Sequence, residues 1–205
     1  MKKIVIFGAT GNVGSYLTKY ASEFFDPAEY EIVAVGRRPE APVFTGMGVD
    51  YYSVDVTRPG DFDALPTDGV HAVMLLAAQI PSYMRDYDGG LYLSSITMGA
   101  YNVLEWCRKV GADRVIFTQT VFDISLASAP GKVLAPDTPP SFSYTGDHAM
   151  YVIAKNAALE VMEHYRREYG IKKFVFRLPT IYSYSPYHYY FPNGVKTKRP
   201  VYTMI

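Results

Sequence analysis

A chain of 205 residues is long enough to bury a substantial core and is sized for one domain rather than two. Its 20 Lys and Arg balance 20 Asp and Glu, so no net field favours nucleic acid or an anionic membrane, and a charged ligand has to be held by a local arrangement. The single cysteine, Cys107, excludes an intramolecular disulfide framework, and four scattered histidines carry no zinc-ligand spacing, a composition that fits a reducing cytoplasm and small-molecule partners.

Lys2 and Lys3 followed by apolar residues 4–7 begin like an export signal, but the run stops at Gly8 and polar Thr10, Gly11 and Asn12 follow. The longest apolar stretch, residues 70–80, is interrupted by His71 and falls short of the roughly 20 residues needed to cross a bilayer, so a soluble protein is expected. Residues 3–7 read as a buried strand, and residues 13–25 as a helix with Val13, Leu17, Tyr20, Ala21 and Phe24 on one face, ended by Asp26-Pro27. Strands follow at 31–35, at 51–54 with a weaker pattern, and at 70–77. A helix over 94–110 is closed by Gly111, and a strand covers 114–117. The proline- and serine-rich segment 125–143 reads as a long loop. The strongest helix spans 147–169, with Met150, Ile153, Ala154, Ala157, Ala158, Val161, Met162 and Tyr165 as its apolar stripe and Gly170 after its end. A strand at 173–176 comes last, before a tyrosine-rich tail without a period. Strands nearly all apolar, alternating with helices, specify an α/β doubly wound parallel sheet with helices on both faces.

Gly8-Ala9-Thr10-Gly11-Asn12-Val13-Gly14 leaves a strand and opens a helix, the context in which a glycine pattern binds a dinucleotide. Gly8 permits the turn, Gly11 lets the backbone approach a pyrophosphate, and Gly14 lets helix and strand pack closely. Thr10, Asn12 and Val13 lie at the helix N-terminus, where N–H groups and the helix dipole attract an anion. The second strand ends in Arg37 and Arg38 rather than in an acidic residue, which favours NADP over NAD because guanidinium groups bind a 2′-phosphate bidentately. Asp55, followed by Val56, is a candidate partner for the adenine amino group, or else a turn cap. Tyr151 and Lys155, four positions apart on the strongest helix, share a face beside the stripe. A phenol needs nearby positive charge to exchange protons at neutral pH, and Lys155 with an oxidised nicotinamide would provide it.

In order, Gly8-Ala-Thr-Gly11-Asn-Val-Gly14, Asp55-Val-Thr57, Leu76-Ala-Ala-Gln79, Tyr151-x-x-x-Lys155 and Arg177-Leu-Pro179-Thr-Ile-Tyr182 resemble the extended short-chain dehydrogenase/reductase family, also called the NAD-dependent epimerase/dehydratase family. The resemblance covers residues 3 to about 186 and implies a Rossmann-type NAD(P)-binding domain over residues 1–180. Residues 181–205 are then a remnant of the C-terminal substrate-binding lobe that family members carry. It further implies that Ala77 and Ala78 line the cofactor cleft, that Lys155 bonds the nicotinamide ribose, that Pro179 lies near the nicotinamide, and that a Ser or Thr follows the fifth strand. Continuous reading from that strand selects Thr120, whereas anchoring on Val121-Phe122 selects Thr118; Thr120 is preferred. The implied chemistry is oxidoreduction, epimerisation or dehydration at a hydroxyl or keto carbon of a nucleotide sugar or related small metabolite. Thr120 and Tyr151 would hold the oxygen, with Lys155 behind the phenol. The chain departs from the family pattern at Ile96, where an asparagine is usual, at Phe122-Asp123 and at Ser183. A non-catalytic NADP(H)-binding sensor or scaffold is the alternative, and a homodimer through the Tyr151 helix is expected.

Overall fold

The computed structural model describes residues 1–81, 86–146, 148–179, 181, 189–190 and 197–198. Its strands are β1 (Lys2–Phe7), β2 (Tyr30–Gly36), β3 (Val49–Ser53), β4 (Val70–Leu75), β5 (Arg114–Thr120) and β6 (Lys172–Leu178), all parallel and ordered β3-β2-β1-β4-β5-β6. The alternation of side chains along a strand divides the core in two. Ile4, Ile6, Ile32 and Ala34 pack on one face, while Val5, Phe7, Val33, Val35, Val73 and Leu75 pack on the other. α1 (Asn12–Phe24) follows β1, and α3 (Gly99–Val110) and α4 (Ala149–Tyr169) supply the larger cluster. The chain runs outward from β1 through β2 to β3, then crosses to β4 on the opposite side of β1. This reversal opens a crevice at the carboxyl ends of β1 and β4, where open α/β sheets bind ligands.

Element order and type follow the pattern of the sequence, and the differences lie in which faces are buried. On α1 the buried residues are Gly14, Thr18 and Ala21, while Tyr20 and Phe24 are exposed. Gly14 packs against the glycine loop, the fully buried positions of α1 carry small side chains, and the large aromatics are turned outward. On α4 the buried face includes Tyr151 and Lys155 along with Ala154, Ala158, Met162 and Tyr165, so the pair lies within the apolar stripe rather than beside it. Ile153, Ala157 and Val161 are only half-buried.

The helix expected from residue 94 begins earlier, with α2 (Gly89–Tyr92), whose first turn is capped by Asp88 accepting from the Gly90 N–H at 2.8 Å. A π-helical turn (Leu93–Met98) joins α2 to α3. β4 ends at Leu75, two residues before its expected end, and Gln79 beyond it donates its N–H to Ser95 Oγ at 3.1 Å. β6 is the outer strand, and Phe174, Val175 and Phe176 are exposed on it, in contrast to the two-sided burial of β1 and β2. In the tail, β7 (Tyr189–Tyr190) and β8 (Thr197–Lys198) pair antiparallel.

Candidate functional site

The glycine loop crosses the end of β1 at the crevice, and its geometry explains why glycine is needed at Gly8 and Gly14. Gly8 has φ +82°, and a Cβ there would stand 2.6 Å from the Ala77 backbone nitrogen. Its N–H and that of Ala9 both donate to the Val35 carbonyl, at 2.9 and 3.0 Å, tying the turn to β2. A Cβ at Gly14 would lie 2.1 Å from the Gly8 carbonyl oxygen, so only glycine lets α1 start against the loop. Gly11 donates to that same Gly8 carbonyl at 3.0 Å and stands immediately before the helix. Asn12, Val13 and Gly14 then make the first turn of α1. A backbone cradle of this kind, without side-chain bulk and open at a helix N-terminus, fits a dinucleotide pyrophosphate. Ala77 and Ala78, half-buried, continue the wall from β4.

Arg37 and Arg38 are exposed just past β2. Tyr51, on β3, donates its hydroxyl toward the carbonyls of Arg38 (2.6 Å) and Gly36 (3.0 Å). Asp55 closes a turn in which its Oδ1 accepts from the Thr57 N–H at 3.0 Å and from the Thr57 hydroxyl at 2.8 Å, the cap role that its position allowed. Burial would raise the Asp55 pKa, but the bonds from Thr57 and the charges of Arg58 and Arg37 together hold it below the ordinary aspartate value. Val56 is buried, and its carbonyl accepts from Asn102 Nδ2 at 2.8 Å, an anchor from α3 that the motif did not announce.

Tyr151, Lys155 and Thr120 meet at the end of β5. Thr120 is buried, its Oγ1 accepts from the Phe122 N–H at 3.3 Å, and it lies near enough to the Tyr151 phenol to act on its pKa. Its N–H donates to Gln119 Oε1 (3.0 Å), and Gln119 Nε2 donates to Asn156 Oδ1 (2.8 Å), so β5 and α4 are cross-linked beside the pair. Thr118 contributes its backbone instead, since its carbonyl accepts from Lys155 Nζ at 2.7 Å. Lys155 is 3% exposed; its ammonium lies 4.5 Å from the centre of the Phe117 ring and 5.9 Å from that of Tyr151. Burial brings the Lys155 pKa down to about 7. For Tyr151, burial pushes the phenol up to about 12, its neighbour Thr120 opposing this and the neighbouring Tyr92 phenol adding to it. Tyr92, itself buried, meets the Tyr151 ring edge to face at 5.8 Å. Lysine therefore does not by itself acidify the phenol in this arrangement, because burial outweighs a cation directed at the Thr118 carbonyl.

A second polar group stands next to the pair. Asp123, fully buried, accepts from Arg177 Nε at 3.0 Å through Oδ2. Arg177 also donates to the carbonyls of Pro136 and Thr138, each at 2.8 Å, and so fastens the loop after β5 to β6. Burial raises the Asp123 pKa although Arg177 works against it, and Asp123 Oδ1 has no hydrogen-bond partner among the described residues. Spacing could not reveal this bridge, which joins residues 54 positions apart. Pro179 is exposed directly after β6, and Tyr182 and Ser183 lie outside the described residues. Among the described residues no cluster of three or more His, Cys, Asp or Glu could hold a metal, and no helix is long and apolar enough to cross a membrane.

A search of curated proteins finds no significant match. Similar solved structures include the UDP-glucose 4-epimerase of Thermus thermophilus in complex with NAD (22% identity, TM-score 0.69), aligned over 85% of this chain and 54% of the epimerase. The UDP-Glc/GlcNAc 4-epimerase of Campylobacter jejuni aligns at 19% identity and TM-score 0.70, over 86% of this chain and 53% of that one. The uronate dehydrogenase of Agrobacterium tumefaciens aligns at 18% and 0.65, over 84% and 59%. At these identities the likeness is one of fold, and the chain spans little more than half the length of these proteins. The family model for the NAD dependent epimerase/dehydratase family matches residues 4–198, nearly the whole chain, and the chain belongs to that family.

Proposed function

We propose that this protein is an NADP-preferring oxidoreductase, epimerase or dehydratase that acts on a hydroxyl or keto carbon of a nucleotide sugar or related small metabolite. The observation that carries this reading is the meeting of Thr120, Tyr151 and Lys155 at the carboxyl end of β5, on the same sheet edge as the glycine loop. Gly8, Gly11 and Gly14 with Thr10, Asn12 and Val13 hold the pyrophosphate, Arg37 and Arg38 take the 2′-phosphate, and Asp55, Val56, Ala77, Ala78 and Pro179 line the remaining cleft. When bound, a nicotinamide accepts hydride from the substrate carbon or returns it, and in its oxidised form brings positive charge beside the phenol. Thr120 orients the substrate oxygen, Tyr151 takes or gives the hydroxyl proton, and Lys155, released from the Thr118 carbonyl, bonds the ribose and lowers the phenol pKa. Two of the structural neighbours are named as epimerases of UDP-sugars, so UDP-hexoses head the substrate panel. We further propose a homodimer through α4, on the half-buried flank of Ile153, Ala157 and Val161.

The test is calorimetry with NADPH and NADH, followed by turnover of a UDP-hexose panel by wild type and Tyr151→Phe. Binding of nucleotide together with a loss of at least about a hundredfold in kcat for Tyr151→Phe is expected for a general acid–base. Unchanged turnover eliminates the assignment. One observation favours a non-catalytic sensor instead, the Lys155 ammonium bonded to Thr118 and not to the phenol. Nucleotide binding with no turnover of any substrate by wild type would support that reading.

A further inference from the structure

We infer that Tyr51 is a specificity-positioning residue: its phenol holds the Gly36–Arg38 turn in the shape that presents Arg37 and Arg38 to a ribose 2′-phosphate. This inference rests on the NADP reading above, which supplies the phosphate. Tyr51 pairs with Ala34 across β2 and β3, two strand positions from the end of the ladder at Gly36 and Ser53. From there its hydroxyl reaches the Arg38 carbonyl at 2.6 Å and the Gly36 carbonyl at 3.0 Å, sharing one proton between two oxygens that flank Arg37. The Gly36 carbonyl also accepts from the Val54 N–H at 2.9 Å, so the phenol ties the Arg38 carbonyl to an oxygen already fixed between β2 and the chain after β3.

The phenol is also the centre of a packed group that joins the arginine turn to the glycine loop. A Cβ at Gly36 would stand 2.8 Å from Thr10 Oγ1 and 3.2 Å from Tyr51 Oη, so the three groups meet closely at this glycine. Phe44 packs on the phenol ring at 6.3 Å between centroids. Pro39, Ala41, Thr45 and Tyr51 itself line an open hollow on the surface beside this group. Asp55 lies close enough for Arg37 to lower its pKa, and Tyr51 holds the main chain of Arg38. Burial raises the Tyr51 pKa, outweighing the Arg38 charge and backbone bond, so the phenol remains a donor at neutral pH.

The experiment is calorimetric titration of the full chain with NADPH, NADH and adenosine 2′,5′-bisphosphate, for wild type, Tyr51→Phe, Arg38→Ala and the double variant. Tyr51→Phe should weaken NADPH and the bisphosphate by about tenfold, the worth of a hydrogen bond to a charged group, while NADH stays within about twofold and the thermal midpoint is held. In the Arg38→Ala background the same substitution should add little, since both act on one contact. Equal weakening of NADPH and NADH, or full retention of the NADPH preference in Tyr51→Phe, overturns the inference while leaving the cofactor reading intact. A wild type that binds NADH as tightly as NADPH removes both together.

Discussion

Lys155 offers the most direct physical test of the site, because a cation buried among apolar residues weakens the folded state that contains it. Its pKa falls from 10.5 to about 7 on folding, with burial as the cause. Between those values the unfolded chain carries a proton that the folded chain lacks, so folding stability rises with pH. At about 1.36 kcal/mol per pH unit of separation, the fold without nucleotide is weakened by roughly 4 kcal/mol near pH 7 and by roughly 2 kcal/mol less near pH 8.5. Lys155→Met removes the titrating group but takes the donor from the Thr118 carbonyl, a loss of about 1 kcal/mol. The variant should therefore be more stable than wild type by about 3 kcal/mol near pH 7, with the gap narrowing to about 1 kcal/mol near pH 8.5. Urea unfolding of both proteins at the two pH values, without nucleotide, measures this. His71, whose pKa is lowered by burial and by Arg114, and Cys107, whose thiol is pushed up by burial, are present in both proteins and cancel in the difference. Parallel stability curves for the two proteins would refute the reasoning, since they would mean that Lys155 keeps its ordinary proton affinity in the fold.

Other perturbations probe the loop and the bridge. Gly14→Ala places a Cβ 2.1 Å from the Gly8 oxygen and 2.8 Å from Ala9 Cα, backbone atoms that cannot give way. Thermal unfolding should show a loss of about 1–3 kcal/mol together with loss of nucleotide binding, whereas Gly60→Ala, with nothing within 4 Å of its added Cβ, should leave both unchanged. Wild-type nucleotide affinity in Gly14→Ala would contradict the cradle geometry. Arg177→Met strands the Asp123 carboxylate in the interior and should lower unfolding stability by about 3–5 kcal/mol at neutral pH. The folded pKa of Asp123, already raised by burial, rises further without the guanidinium, so this deficit should shrink as pH falls toward about 5. A deficit independent of pH would show that the loop contacts to Pro136 and Thr138, not the charge pair, dominate.

The fold class and the geometry of the glycine loop could be read along the chain because they rest on local rules. Apolar runs alternating with helical periods specify a parallel α/β sheet, and the strand–glycine–helix order marks the loop because the steric demands at Gly8 and Gly14 arise within a few residues. The four-residue spacing of Tyr151 and Lys155 put them on one helical face for the same reason. What needed the tertiary structure was everything set by neighbours distant in the chain. Tyr20 and Phe24 face outward, because the way α1 docks on the sheet decides which flank of its apolar face is covered, something periodicity alone does not fix. Thr120 meets the phenol, while Thr118 offers its carbonyl to the lysine, because the pleat of β5 and the packing of α4 decide which group points where. The Asp123–Arg177 bridge and the Tyr51 contacts likewise join separate strands and loops, for which neither propensity nor spacing leaves a trace. Hydrogen bonds between remote segments exist only once the sheet has brought those segments together.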